Sequence, residues 1–358
     1  MLKQAVIVYE DRADHLIGVK LLLASLRHFE PGMKIKLVLP GLPDYLTSQF
    51  TDYSQITVDS RQRGLSGWDV KPELLSEALD DGYENALWLD ADLILTAPLV
   101  PLLDRFAADS FITTEEPLGP RRPGSALRTP AWGLPLGRVL PVTLNSSVIR
   151  ASRSHRDLLE AWVGLLRRND YRAAQALSWN IRPDHLMGDQ DALTALLGAH
   201  EFADIPLGLL RQGIDIAHCF NEDGFSVSQR IRHAFRPLPP LVHAQGRKPW
   251  VDAGNRALHT ELSPYCWAAL PFASALTPDE RGWIGTRSKL GQVLTAVGFG
   301  DPALAGLAPA MWRTSVRAAG RCISPITARL KLPRKETKAA HISHSAVVAS
   351  HQRKHVES

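Results

Sequence analysis

Apolar positions along the chain follow two alternating rhythms. Ala5-Val6-Ile7-Val8-Tyr9 is a short β-branched run, and Leu16, Val19, Leu22, Leu23 and Leu26 follow it at helical spacing, which predicts a strand and then a helix. Lys36-Leu37-Val38-Leu39, closed by Pro40-Gly41, reads as a second strand, and Gln55-Ile56-Thr57-Val58 as a third. From Lys71 the positions Leu74, Leu75, Ala78 and Leu79 are helical, with Pro72 tolerated in the first turn. Ala86-Leu87-Trp88-Leu89 is then a buried strand that ends in Asp90-Ala91-Asp92. Strands and helices alternating over short connections predict an α/β fold: a mostly parallel sheet with helices on both faces.

The pattern lapses between Pro117 and Leu140, where Pro and Gly recur without usable periodicity. A loop this long inside a domain is usually a lid or a binding segment, and Arg121, Arg122, Arg128 and Trp132 make it an acceptor-side lid candidate. Strand-like Val142–Ile149 follows, then an amphipathic helix carrying Leu158, Leu159, Trp162, Val163 and Leu166. A further helix begins near Asp189, and Leu241-Val242-His243 closes the regular portion. From about Leu262 the chain turns Ala- and Leu-rich at helical spacing. From about Leu332 periodicity disappears, as expected of a disordered tail. The predicted division is residues 1–258 as the main domain, 259–331 as a helical appendage and 332–358 as a basic tail.

Composition narrows the class. With 45% hydrophobic and 22% charged residues, the chain can bury a core and cover it. The net charge of +4 is uneven: beyond residue 300 ten Lys/Arg face three acids, which leaves the first three hundred residues at −3. The basic end lacks interleaved aromatics that would stack bases, so no nucleic acid is expected, while peripheral contact with anionic lipid fits its charge. Three widely spaced cysteines, Cys219, Cys266 and Cys322, fit no metal spacing and point to a reducing compartment. No apolar stretch approaches the ~18–20 residues of a membrane span. The expected location is cytoplasmic.

Candidate chemistry gathers at three places. Asp90 and Asp92 end a buried strand, where open α/β folds bind ligands, and as hard oxygen donors they suit Mg²⁺ or Mn²⁺. Taken alone, the pair is equally well a solvated turn. His243 precedes Gly246 and Lys248, a metal-capable imidazole followed by a backbone hinge and a point charge for phosphate. Asp189 and Gln190 open a helix, where Asp189 either caps the helix or faces a polar substrate.

In this order, Gly67-Trp68-Asp69-Val70-Lys71-Pro72, Leu87-Trp88-Leu89-Asp90-Ala91-Asp92, Asn145-Ser146-Ser147-Val148, Asp189-Gln190-Asp191 and His243-x-x-Gly246-x-Lys248-Pro249-Trp250 resemble the family 8 glycosyltransferases and their relatives. These are enzymes of the nucleotide-diphospho-sugar transferase, or GT-A, fold. The resemblance covers Ala5 to Trp250. It implies that Asp90, Asp92 and His243 hold Mn²⁺ or Mg²⁺ on a donor diphosphate, with Gly246 and Lys248 beside the phosphates. Asp189 and Gln190 would line the donor sugar, with Gln190 near the anomeric carbon. Asn145 would lie beside that sugar, Lys71 would reach the donor, and Tyr9 would border the nucleobase. The implied reaction moves a hexose from a nucleotide-diphosphate sugar, UDP-sugar first, to a glycan, glycolipid or protein with retention. Two departures stand out: only Arg247 separates Gly246 from Lys248, one residue fewer than the family pattern, and Ser147 replaces a glycine. The alternatives are a haloacid-dehalogenase-like phosphatase or phosphotransferase, whose Asp-x-Asp normally follows the first strand, and a non-catalytic nucleotide-sugar-binding relative.

Overall fold

The first apolar run forms β1 (Gln4–Tyr9), and every residue from Ala5 to Tyr9 is buried. A computed structural model of the chain describes residues 4–51, 53–116, 124–219, 226–246, 248–251, 263–285 and 311. Side chains alternate across β1 and β4 (Asn85–Leu89): Val6, Val8, Leu87 and Leu89 enter one apolar cluster, while Ile7, Tyr9, Ala86 and Trp88 enter another. Both sheet faces are therefore covered. That explains why these strands read as unbroken apolar runs rather than alternating ones.

The covering helices use the predicted stripes. On one face α1 (Leu16–Phe29) contributes Leu16, Val19, Leu22, Leu23 and Leu26. On the other lie α2 (Lys71–Asp80), with Pro72 in its first turn, and, from later in the chain, α4 (Arg156–Leu166) and α6 (Asp189–Gly198). Proline is tolerated there because that amide has no intrahelical acceptor. Gly188 occupies the cap position of α6 and Asp189 is its first residue, so Asp189 is not the N-cap.

The main sheet has seven strands in the order β3-β2-β1-β4-β7-β6-β8. They include β2 (Lys34–Val38), β3 (Ile56–Asp59), β6 (Phe111–Glu115), β7 (Leu144–Ser152) and β8 (Leu207–Leu210). Strands β1 to β4 pair in parallel, and β7 runs antiparallel to both β4 and β6. This is the α/β, mostly parallel, helix-flanked architecture expected from the sequence. The chain leaves β1 toward β2 and later returns to its other side with β4, so the strand order reverses between β1 and β4. Such a reversal opens a crevice at the carboxyl ends of the strands.

A smaller sheet, β5-β10-β9, completes the floor of that crevice. It consists of β5 (Leu93–Leu95), β9 (Ile216–His218) and β10 (Leu241–His243). Packed against it is the short helix α7 (Pro264–Ala269), whose Tyr265 joins Trp250 and Trp283 in a third apolar cluster. The described residues all belong to one compact unit, Met1–Met311.

The stretch expected to be a lid is partly something else. Residues 124–140 include a helix, α3 (Ser125–Ala131), seated on α6. A Cβ on Gly198 would meet Ser125 Cβ at 2.1 Å, so the close approach requires glycine there. Arg128 is buried and its Nε donates to Asp191 Oδ1 at 2.7 Å, and buried Trp132 donates its indole N–H to the His185 carbonyl at 2.9 Å. Both residues are structural supports, because a buried guanidinium with a carboxylate partner is not available to a substrate. Arg121 and Arg122 lie outside the described residues, as do Cys322, the tail from Leu332 and most of the helical region after Trp250. Cys219 and Cys266 are buried free thiols. Among the described residues no helix is long and apolar enough to cross a membrane.

Candidate active site

The register of the small sheet explains how residues far apart in sequence come together. β10 pairs antiparallel with β5, so that His243 sits opposite Leu93, the residue after Asp92. The Ala244 amide then donates to the Asp92 carbonyl at 3.0 Å. On the other side, the antiparallel pairing of β4 with β7 places the Asp90 amide on the Ser147 carbonyl at 2.8 Å. The carboxylates thus lie where two sheets and a strand reversal meet.

Asp90, Asp92 and His243 each aim one ligand atom at a common point, all within 4.8 Å of one another. His243 Nε2 lies 3.1 Å from Asp92 Oδ1 and 3.7 Å from Asp90 Oδ2. The remaining atoms are held from behind. Asp90 Oδ1 accepts from the Trp88 indole at 2.7 Å and faces Lys71 Nζ at 3.1 Å. Asp92 Oδ2 contacts Lys248 Nζ. His243 Nδ1 lies 2.8 Å from Nδ1 of the buried His218. Supporting partners of this kind set the orientation of metal ligands. Two carboxylate oxygens and one imidazole nitrogen are a fitting donor set for Mg²⁺ or Mn²⁺.

Burial alone would raise the Asp92 carboxyl, but Lys248 and then His243 hold it well below the usual carboxylate range. Burial, and secondarily the nearby His243, keep His218 well below the usual imidazole value. A metal-ligating Nε2 would put the His243 proton on Nδ1, within reach of His218 Nδ1 as its acceptor.

Beside this group runs a buried polar network. Lys71 Nζ donates to Ser146 Oγ at 2.8 Å and to the Ser146 carbonyl at 3.1 Å, and it lies 3.4 Å from Asp189 Oδ2. Ser146 Oγ donates to Asp189 Oδ2 at 2.6 Å. Burial disfavours the ammonium, but Asp189 and Asp90 outweigh it and raise the Lys71 pKa. Asp189 is pushed up chiefly by its own burial, against the pull of Lys71 and Ser146. Lys71 is thus a buried counter-charge tying β7 and α6 to the Asp90 turn.

All ten residues expected from the sequence line one cleft of about 1160 Å³: Tyr9, Lys71, Asp90, Asp92, Asn145, Asp189, Gln190, His243, Gly246 and Lys248. Tyr9 closes β1, and its hydroxyl donates to Asp11 Oδ2 at 3.0 Å. Burial and then Asp11 hold its phenol well above the ordinary range. Gly246 has φ +81°, a left-handed conformation that glycine adopts without strain.

Several residues escaped the sequence reading. Glu116 is buried just past β6 and accepts from Gln190 Nε2 at 2.8 Å, Asn145 Nδ2 at 3.0 Å and Gln245 Nε2 at 3.1 Å. It therefore sets the amide orientations of three side chains that line the cleft. A carboxylate directly after a strand was its sequence signal, the same one that exposed Asp90. Asp69, pushed up to about 7 by burial and next by Asp189, accepts from the Tyr171 hydroxyl at 2.6 Å. His218 gave no signal, because one histidine at the end of a three-residue strand is indistinguishable from a core histidine.

Solved structures to which the chain is similar include three glycosyltransferases. The bifunctional glycosyltransferase WbbM shares 12% identity at a TM-score of 0.47, over 70% of this chain and 47% of that one. The glycosyltransferase GlyE of Streptococcus pneumoniae TIGR4 shares 17% at 0.46, over 76% and 64%. The galactosyltransferase LgtC, in complex with donor and acceptor sugar analogs, shares 12% at 0.48, over 78% and 99%. The chain therefore spans less than two thirds of the first two. No protein-family model matches the chain, and no curated protein matches it. At such identities and scores the likeness bears on neither activity nor substrate.

Proposed function

We propose that this protein is a metal-dependent glycosyltransferase that moves a hexose from a nucleotide-diphosphate sugar, UDP-sugar first, to a glycan, glycolipid or protein acceptor with retention. The observation that carries this reading is the convergence of Asp90, Asp92 and His243 in one cleft with Lys248, Asp189, Gln190 and Asn145. Residues 1–258 would form the catalytic domain, with 259–331 as an appendage and 332–358 as the tail that meets anionic membrane at the cytoplasmic side.

Asp90, Asp92 and His243 would hold Mn²⁺ or Mg²⁺. When bound, such an ion neutralises charge on a departing diphosphate. The chain's own residues do the rest. Lys248, held at Asp92, would supply a cation for the diphosphate, and removing one charged partner of this type typically costs about 10²–10³ in rate. Tyr9 borders the nucleobase, and Lys71 supports the donor through Asp90 and Asp189. Asn145 and Gln190, oriented by Glu116, line the sugar. The bond that breaks joins the anomeric carbon to a phosphate oxygen, and the bond that forms joins the same carbon to the acceptor oxygen. The carboxylate touching Gln190 is Glu116, and it is 3% exposed with three amide donors on it. Such a group is poorly placed as a nucleophile, which favours departure and attack on one face over a covalent intermediate.

Calorimetric titration of UDP, with Mn²⁺ and with chelator, tests the site. Metal-dependent binding that weakens at least tenfold in Asp90→Asn is expected. Metal-independent binding, or unchanged affinity in that variant, overturns the site. Hydrolysis of nucleotide sugars from a broad panel tests turnover, and consumption of none would leave a binding protein instead.

A further inference from the structure

Two tryptophans line the same cleft without being buried by the fold: Trp68 is 48% exposed and Trp179 is 49% exposed. Isolated exposed aromatics are unremarkable on a protein surface. These two have polar neighbours in the same cleft. Trp68 directly precedes Asp69, whose Oδ1 accepts from the hydroxyl of buried Tyr171 at 2.6 Å. Over the Trp179 ring, 5.5 Å from its centroid, stands the Arg182 guanidinium. That guanidinium is itself fixed by bonds to Gln175 Oε1 at 2.6 Å, the Gln175 carbonyl at 2.9 Å, and the Leu177 and Met187 carbonyls at 3.0 Å each. Rings that are half wet give the fold little burial energy. Their apolar area is kept for something that arrives.

Trp179 is set apart from the Tyr9 end of the cleft. Tyr9, Pro40 and Gly41 mark the ends of β1 and β2 on one side of Asp90. Trp179 lies on the other side, between α5 (Asn169–Gln175) and α6. Trp68, just ahead of α2, stands between the two ends: the Gly67 amide before it donates to Asp11 Oδ2, which also accepts from Tyr9, and Asp69 after it accepts from Tyr171 of α5. The cleft, at about 1160 Å³, exceeds the ~300–1,000 Å³ of a usual single-ligand pocket, so it has room for a second substrate beyond the donor.

We propose that Trp68 and Trp179 form an aromatic platform for a pyranose ring of the acceptor, which makes the acceptor a saccharide or a saccharide-capped conjugate. This rests on the reading of the cleft as a glycosyl-transfer site. The chemistry fits a sugar ring. Its C–H face is apolar and slightly positive and settles on the negative face of an indole. Its equatorial hydroxyls can donate to oxygens of Asp69 and Gln175 and accept from the one Arg182 N–H that the bonds above leave over. The Trp179 ring, already set against a fixed guanidinium, loses little entropy on binding.

The test is saturation-transfer NMR on the full chain with lactose, cellobiose, maltose and N,N′-diacetylchitobiose, each with and without UDP and Mn²⁺. UDP affinity is measured calorimetrically on the same samples. At least one disaccharide is expected to receive saturation on the C–H protons of one ring face. That signal should fall at least fivefold in Trp68→Ala and in Trp179→Ala and largely persist in Trp179→Phe, with UDP affinity within twofold of wild type throughout. The platform is overturned if no disaccharide responds in either condition, or if the signal survives the double alanine variant. It is equally overturned if Trp179→Ala weakens UDP tenfold, which would assign that ring to the nucleobase. Failure of the wild-type protein to bind UDP overturns the transferase reading, while the nucleotide-free arms still decide the platform.

Discussion

Replacing Lys248 by methionine should move metal and nucleotide affinity in opposite directions. In the structure the Lys248 ammonium rests on Asp92 Oδ2, and the two side chains are only 13% and 11% exposed. Solvent and salt therefore screen the contact weakly. Two unit charges about 4 Å apart at an effective dielectric of ~20 interact by about 4 kcal/mol. Desolvation offsets much of this, and a divalent ion entering beside Asp92 must overcome the remainder and the repulsion from the ammonium. A net penalty of about 1.4–2.8 kcal/mol corresponds to ten- to a hundredfold in affinity. Lys248→Met keeps the aliphatic stem and removes the charge, so Mn²⁺ should bind ten- to a hundredfold more tightly without nucleotide. UDP in the presence of saturating Mn²⁺ should bind at least tenfold more weakly, because the diphosphate loses its fixed cation. Titration of Mn²⁺ followed by electron paramagnetic resonance, together with calorimetry for UDP, measures both. Weaker Mn²⁺ binding in Lys248→Met would refute the reasoning, since the lysine would then support the ion site instead of competing for it. Unchanged UDP affinity would remove its phosphate role.

Three further outcomes follow from particular contacts. His218→Phe removes the acceptor within reach of His243 Nδ1 and should weaken Mn²⁺ about 10–100-fold, while His218→Gln, which can still accept, should recover part of it; equal affinity in all three proteins by the same resonance titration would refute the tautomer role. Arg128→Met takes the guanidinium from the buried Asp191 carboxylate and should destabilise the fold by about 3–5 kcal/mol, read from urea unfolding midpoints. His155, buried, with Nδ1 accepting from the Ser152 amide at 2.9 Å, is held neutral by burial at a pKa of about 4. Its folded value lies below its unfolded value of ~6.5, so the stability it supports is complete above pH ~6.5 and declines as pH falls toward 4, by about 3 kcal/mol in all. His155→Asn, which keeps an acceptor for Ser152 and cannot titrate, should flatten that decline in denaturation curves taken between pH 7 and 4.

The regular part of the fold was legible because local rules sufficed. β1, α1, α2 and β4 carry unmixed periodicities, and each begins within one residue of the start of its pattern. The stretch after Pro117 was misread for an equally local reason. Gly, Pro and Arg look like loop until Gly198, some seventy residues later, lets α3 settle on α6 and Asp191 neutralises Arg128.

For the site, the chain by itself determined which residue types lie at strand ends: Asp90 and Asp92 after β4, His243 as the last residue of β10, and Asp189 and Gln190 at a helix start. Spacing along the backbone dictates those placements, since a buried apolar run must end where polar groups begin. Only the tertiary structure decided that these ends share one cleft. Antiparallel pairing of β5 with β10 lays His243 against the aspartates across about 150 residues, and no local pattern encodes the partner of a strand. The same holds for the supports behind them. His218, Glu116 and Lys71 matter through what they touch, and a contact between distant residues is a property of packing that periodicity does not record.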